Sequence, residues 1–69
     1  MDIVAKIKAA VKYAGLTNSA VAERLGSSKS AFSQRLKHGK ISTITLEKIA
    51  EALGAKLIIK FIFDDGTEI

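Results

Sequence analysis

The chain has 69 residues, carries a net charge of +4 and contains no cysteine. A domain this small buries only a modest core, and without cysteine it lacks both disulfides and the thiolates of a structural zinc site. With a single histidine, His38, no metal is predicted, and a chain this short has no sensor domain, so no cofactor or small-molecule ligand is expected. Stabilisation by a second copy of the chain is expected instead. No apolar run reaches the roughly 20 residues of a membrane span, so a cytoplasmic protein without membrane contact is expected.

The charge is unevenly distributed along the chain. Residues 1–54 contain nine Lys or Arg against four Asp or Glu, whereas residues 55–69 contain two against three. The segment from Lys29 to Lys40 has four basic residues and no acidic one. A basic segment without acids indicates a polyanionic partner or, alternatively, a solvated surface that only keeps the protein soluble.

Two helices are predicted in the first 26 residues. Asp2 is a candidate N-cap, and apolar residues recur at helical spacing from Ile3 until Gly15. Thr17 is a candidate N-cap for a second helix of about two turns, which Gly26 ends.

Two more helices are predicted before residue 55. Ser28 precedes a third short helix, on which Phe32 and Leu36 mark the buried side and which ends near Lys37 or His38. A fourth helix begins after a cap at Ser42 or Thr43, and it carries apolar residues at helical spacing until Gly54.

After Gly54 the apolar period changes from 3.6 to 2, which predicts a β-strand. Leu57, Ile59, Phe61 and Phe63 share one face and are expected to cover the helical core. Asp65-Gly66 predicts a tight turn, after which residues 67–69 return as a short second strand. The predicted fold is therefore mainly helical with a C-terminal β-hairpin, in a single domain of residues 1–69.

The second and third helices, joined through Gly26, have the spacing of a helix-turn-helix. With 100° per residue, the side of the third helix opposite Phe32 and Leu36 is entirely polar or cationic. Such a face fits the major groove of DNA, where Gln34 can pair with adenine and lysines can reach guanine or phosphate. The candidate base-reading residues are Lys29, Ser30, Ser33, Gln34 and Lys37.

Polar residues around this helix are expected to hold the DNA backbone, because hydroxyl, amide and cationic groups bind phosphate oxygens. They stand at the start of the second helix, in the turn and beyond the third helix. The candidates are Thr17, Asn18, Ser19, Ser28, His38 and Lys40.

The stretch "LTNSAVAERLGSSKSAFSQRLKHGK…LEKIAEALG" resembles the phage repressor and Cro type of helix-turn-helix regulator. The resemblance implies a lambda repressor-like fold, operator binding and base reading by the third helix at the positions named above. Three residues depart from the family pattern. Asn18 replaces the usual Gln, Ser27 replaces an apolar turn residue, and Arg35 stands where an apolar residue is common, so Leu36 is expected to take over its packing.

The sequence predicts a binding protein rather than an enzyme, since no combination of residues typical of a catalytic site is present. The main hypothesis is a nucleoid-associated transcriptional regulator, most simply a repressor of phage or bacterial type, that binds a palindromic operator on double-stranded DNA. Two alternatives stay open: an antitoxin of a toxin–antitoxin pair with the same fold, and a protein-interaction adaptor that has lost DNA binding.

The apolar C-terminal strand is the predicted homodimerisation element, at about residues 55–69. With one face over the core, its other face still exposes Ile58 and Ile62, and its edge is unpaired. Pairing with the same strand of a second copy, around a two-fold axis, would cover both. The candidate dimerisation residues are Leu57, Ile58, Ile59, Lys60, Phe61, Ile62 and Phe63.

Overall fold

The computed structural model describes residues 2–69, and within them regular structure is helical. The prediction of a mainly helical chain with four short helices is confirmed. The helices are α1 (Ile3–Tyr13), α2 (Asn18–Arg24), α3 (Lys29–His38) and α4 (Thr43–Ala52). No helix in this part of the chain is long and apolar enough to cross a membrane.

Each helix begins at a short polar residue whose side-chain oxygen accepts a hydrogen bond from a backbone N–H three residues ahead. The acceptors are Asp2, Thr17, Ser28 and Ser42, at donor–acceptor distances of 3.0, 3.1, 3.1 and 3.2 Å. Such a cap satisfies an amide that has no partner inside the helix and contributes about 1 kcal/mol. The predicted helix starts are therefore confirmed, with Ser42 chosen over Thr43.

The turn between α2 and α3 is fixed by two backbone hydrogen bonds. The N–H of Gly26 donates to the Glu23 carbonyl at 3.0 Å, and that of Ser27 donates to the Ala22 carbonyl at 2.9 Å. This pattern is a Schellman motif, and it needs the left-handed backbone that Gly26 adopts at φ +70°. Because glycine reaches that conformation without steric cost, the chain reverses here within four residues.

The core lies where the four helices meet. Val21 and Ala22 of α2 are fully enclosed, and Phe32 of α3 is 2% exposed. The side chains of Val21 and Ala22 are smaller than that of Phe32, so α2 and α3 approach closely and pack against each other. The buried set is Ile7, Val11, Val21, Ala22, Phe32, Leu36, Ile49 and Ala52.

One contact between α2 and α4 was not predicted from the sequence. The Arg24 guanidinium donates a hydrogen bond of 2.7 Å to the carbonyl of Ala52, in the last turn of α4. Carbonyls at a helix C-terminus lack partners inside the helix, and a cation is favourable beside them. Arg24 therefore stabilises the end of α4 and links α4 to α2.

The predicted C-terminal β-hairpin is not supported, because residues 2–69 contain no β-strand. The tail (residues 55–69) has one isolated antiparallel bridge, between Ile62 and Glu68. The predicted tight turn does form: the N–H of Gly66 donates to the Phe63 carbonyl at 2.9 Å. The arm that returns has only three residues, which is too few for a stable two-stranded hairpin in water.

The expected packing of the tail over the helical core is wrong. Ile59, Phe61 and Phe63 are 61%, 73% and 53% exposed, whereas Leu57 is half-buried. The molecule is accordingly elongated, with extents of 44 × 24 × 18 Å. The physical reason is that the core is already closed by helix packing, so the tail finds an apolar surface only at its first residues.

The turn in the tail is held by a side chain as well as by backbone. The Thr67 N–H donates to a carboxylate oxygen of Asp65 at 2.9 Å. This hydrogen bond favours the charged carboxylate and holds the pKa of Asp65 below its ordinary value of 3.8. The carboxylate of Asp65 therefore stabilises the turn fully at pH values above the ordinary pKa. This stabilisation is lost as the pH falls through the lowered pKa of Asp65.

Candidate nucleic-acid interface

Helix α3 has one buried side and one solvent-facing side. Phe32 and Leu36 point into the core, and Ser28 caps the first turn from outside the helix. Arg35 is exposed, so Leu36 does take the packing position, as expected. Three cationic or potentially cationic side chains in the last turn, Arg35, Lys37 and His38, are favourable beside the helix C-terminus. The same packing that fixes α3 thus turns its polar side outward.

Every candidate base-reading residue is exposed to solvent. We call this set the outer face of α3. Its members are Lys29, Ser30, Ser33, Gln34 and Lys37. They span about two and a half helical turns, which is about the length of helix that a major groove accommodates.

The charge of the outer face is not neutralised by the protein itself. Among residues 2–69 one ion pair forms, between Lys60 and Glu68 in the tail, at 2.9 Å. It does not involve α3. No acidic residue occurs in α3. Lys29 and Lys37 are therefore available to a negatively charged partner.

Asn18, Ser33 and Lys37 come together around one surface depression of about 320 Å³. Lys8 of α1 and Leu36 complete its lining. We call this site the basic depression. Two cations, an amide and a hydroxyl around one opening form a donor set suited to phosphate oxygens.

The other candidate backbone contacts lie outside the basic depression. Thr17 and Ser28 accept the cap hydrogen bonds with their hydroxyl oxygens, and the O–H of each can still donate to a phosphate oxygen. Ser19 is exposed on α2, and His38 and Lys40 are exposed on either side of Gly39. These residues are near α3 in the chain, but none of them lines the basic depression.

Lys8 also lines the basic depression, although it was not among the residues predicted from the sequence to contact DNA. It stands directly after the buried Ile7, at the edge of the buried side of α1. Helical periodicity can place a residue at such an edge, but it cannot say which neighbouring helix lies beyond it. Only the packing of α1 beside α3 shows that Lys8 faces Ser33 and Lys37.

The candidate dimerisation residues lie along the tail, away from the basic depression. Only Leu57 is half-buried, and it lines an apolar groove of about 150 Å³ between α1 and α4. Ile58, Ile59, Lys60, Phe61, Ile62 and Phe63 are all exposed. The large apolar side chains of this run are therefore in contact with solvent in the single chain.

Comparison with known proteins gives the chain no family. It matches no protein-family model, no curated protein and no solved structure.

Proposed function

We propose that the protein is a sequence-specific double-stranded DNA-binding transcriptional regulator, and that it binds a palindromic operator as a homodimer. The observation that carries this proposal is the outer face of α3: exposed over its whole length, free of acids, and fixed to α2 through the Gly26 turn. A helix held in this way can enter the major groove as a rigid unit. The protein acts by occupying its site and not by catalysis.

The side chains of the outer face divide into two roles. Gln34, at its centre, offers an amide that can donate to N7 and accept from N6 of adenine, which is a base-specific pairing. Ser30 and Ser33 have short hydroxyls that can serve bases or backbone. Lys29 and Lys37, at the two ends, reach guanine or phosphate and contribute most of the charge.

The basic depression is the proposed clamp for one backbone phosphate. Lys37 and Lys8 approach it from two helices, and Asn18 and Ser33 supply neutral donors between them. Because α1, α2 and α3 each contribute a side chain, a phosphate bound here would fix the height and tilt of α3 in the groove. The sequence specificity then comes from Gln34, while the register comes from the clamp.

The proposed homodimer forms through the tail, which becomes a β-strand only when it pairs with a second copy. This accounts for a tail that is apolar and exposed yet has no strand in the single chain. A two-fold axis places two α3 helices on one side of the DNA, and a spacing of about 34 Å would match two successive turns of the major groove.

The Gln34→Ala variant tests base reading. It should lose about 1 to 3 kcal/mol of discrimination at one position of each half-site while keeping its affinity for non-specific DNA. Selection of bound sequences from random duplexes gives the site, and fluorescence anisotropy with matched and mismatched sites gives the discrimination. An unchanged sequence preference in Gln34→Ala would show that Gln34 does not read a base.

The Lys37→Ala and Lys8→Ala variants test the phosphate clamp. Each should weaken binding to all sequences alike, and the slope of log affinity against log salt should fall by about one, since one released counterion is lost. Lys48→Ala is the matched control, because it removes the same charge from the exposed side of α4, away from the basic depression. Equal salt slopes in all three variants would remove the clamp from the proposal.

A further inference from the structure

The hydrogen bonds of the tail show which of its edges is free. Phe61 and Ile69 exchange two backbone hydrogen bonds, of 2.7 and 2.9 Å, and the N–H of Phe63 donates to the Thr67 carbonyl at 2.8 Å. In an antiparallel ladder, successive residues direct their backbone groups to opposite edges. Odd-numbered residues of the tail therefore face its own returning arm. The N–H and C=O groups of Ile58, Lys60 and Ile62 face the other edge.

A second copy pairing at that edge has few possible registers. Around a two-fold axis perpendicular to the sheet, paired residues must lie on the same face, so either an odd or an even residue pairs with itself on the axis. Three registers keep the apolar run overlapped, and they place Ile59, Lys60 or Phe61 on the axis. The side chains decide among these three.

The register centred on Lys60 pairs apolar side chains with apolar side chains. It places Ile58 opposite the partner's Ile62, and Ile59 opposite the partner's Phe61. Centring on Ile59 would put Ile58 opposite a lysine, and centring on Phe61 would put it opposite an aspartate. Both of those registers place a charge beside an apolar side chain, whereas apolar cross-strand pairs stabilise a sheet.

The same register also brings opposite charges together. Lys56 faces the partner's Asp64 at each end of the paired segment. The cost is that Lys60 faces the partner's Lys60 on the axis. That cost is reduced because Glu68 of the same chain already lies 2.9 Å from the Lys60 ammonium.

The register also explains the apolar groove. The groove is lined by Ile3, Ile7 and Ala10 of α1, by Leu46 and Leu53 of α4, and by Leu57 of the tail. The partner's Phe63 stands opposite Leu57 in a pair without backbone hydrogen bonds, where side chains come closest. The groove volume of about 150 Å³ is that of a cavity that accepts benzene, so one phenyl ring fits.

We infer that two copies pair antiparallel with Lys60 on the two-fold axis, and that Phe63 of each copy occupies the α1–α4 groove of the other. The inference rests on the tail-mediated homodimer proposed above and defines its register and its occupant. Each groove is then complete only when the second copy is present. The partner of this surface is thus another copy of the same chain and not a different protein.

The absence of cysteine from the sequence makes the register measurable. Lys60→Cys should form a covalent dimer under mild oxidation, because residues that pair across a ladder have Cα atoms about 5.5 Å apart, within disulfide range. Ile59→Cys and Phe61→Cys should stay monomeric on a non-reducing gel, since each lies diagonally from its own copy at roughly 7 to 8 Å. Cross-linking of Ile59→Cys or Phe61→Cys in preference to Lys60→Cys would overturn the register.

Groove occupancy is tested by Phe63→Ala, with Tyr13→Ala as the control. Tyr13 is an aromatic residue that is 94% exposed on α1 and lies outside the groove. Phe63→Ala should raise the dimer dissociation constant about tenfold or more, and Tyr13→Ala should leave it unchanged. Equal dissociation constants in the two variants, measured by sedimentation, would show that the partner's Phe63 does not fill the groove.

DNA binding, measured on the same proteins, separates this inference from the proposed function. A dimer that binds DNA but cross-links through Ile59→Cys or Phe61→Cys disproves the register and leaves the regulator in place. A dimer that cross-links through Lys60→Cys but binds no duplex at low salt supports the register and contradicts DNA binding. A protein that stays monomeric in all three cysteine variants and in sedimentation contradicts the pairing itself.

Discussion

The Phe32→Ala variant is expected to be largely unfolded at 25 °C. Phe32 is 2% exposed and lies at the centre of the cluster that joins α2, α3 and the other helices. Truncating a buried phenylalanine costs about 3 to 5 kcal/mol, through lost transfer free energy and the cavity that remains. A chain of this size has roughly 3 to 10 kcal/mol of total stability, so the loss is comparable with the whole. Far-UV circular dichroism and urea unfolding would measure it.

Two further variants make the Phe32 prediction specific. Phe32→Leu should keep the fold and lose about 1 to 2 kcal/mol, which allows a full unfolding curve to be recorded. Tyr13→Ala removes an aromatic ring that is 94% exposed and should change the unfolding free energy by less than about 0.5 kcal/mol. If Phe32→Ala unfolded at the same urea concentration as Tyr13→Ala, the core would not be centred on Phe32.

The helical part of the fold was predictable because residues next to each helix boundary determine where the helix begins or ends. Thr17, Ser28 and Ser42 accept the hydrogen bonds that start their helices, and Gly26 adopts the left-handed backbone that ends α2. Such signals act within four residues and need no knowledge of the rest of the molecule. Periodicity then assigned Phe32 and Leu36 to the core, since one side of each helix had to be buried.

Contacts between helices distant in sequence were not predictable in the same way. Arg24 was counted only as positive charge, yet it binds the Ala52 carbonyl, 28 residues further along. Lys8 was not predicted to contact DNA, yet it borders the basic depression with Ser33 and Lys37. Both depend on how the helices pack on one another, and long side chains of this kind reach whichever neighbour that packing supplies.

The tail shows where a strong local pattern misleads. Alternation from Leu57 to Phe63 predicted a strand from side-chain spacing alone, but a strand also needs a partner for its backbone, and no strand forms within residues 2–69. Within one chain the returning arm supplies only the bonds around Phe61 and Phe63. In the proposed homodimer, the backbone partner that the single chain lacks belongs to a second copy. The sequence identifies the apolar residues that such a partner would cover, but it does not show the pairing.

The Ile58→Asp variant is expected to abolish the homodimer and, with it, most of the operator affinity. Ile58 is 68% exposed in the single chain, so the substitution leaves the helical core intact. In the dimer it would replace each apolar pair of Ile58 with the partner's Ile62 by a carboxylate against an isoleucine, on both sides of the axis. Linking two DNA-binding units raises affinity by about 10² to 10⁴, and a monomer loses that gain. Light scattering at tens of micromolar and anisotropy on a palindromic site measure the two effects.

Ile44→Asp provides the matched control, because Ile44 is also 68% exposed but lies in the first turn of α4. An aspartate near a helix N-terminus is favourable, so this variant should stay folded, dimeric and competent for DNA. A wild-type protein that scatters as a monomer, with Ile58→Asp and Ile44→Asp binding DNA equally well, would exclude the tail as the dimer contact. A half-site would then be bound by a single subunit, and the exposed Phe61 and Phe63 would need another role. The expected result is instead a large loss in one variant and none in the other, which no general effect of added negative charge can produce.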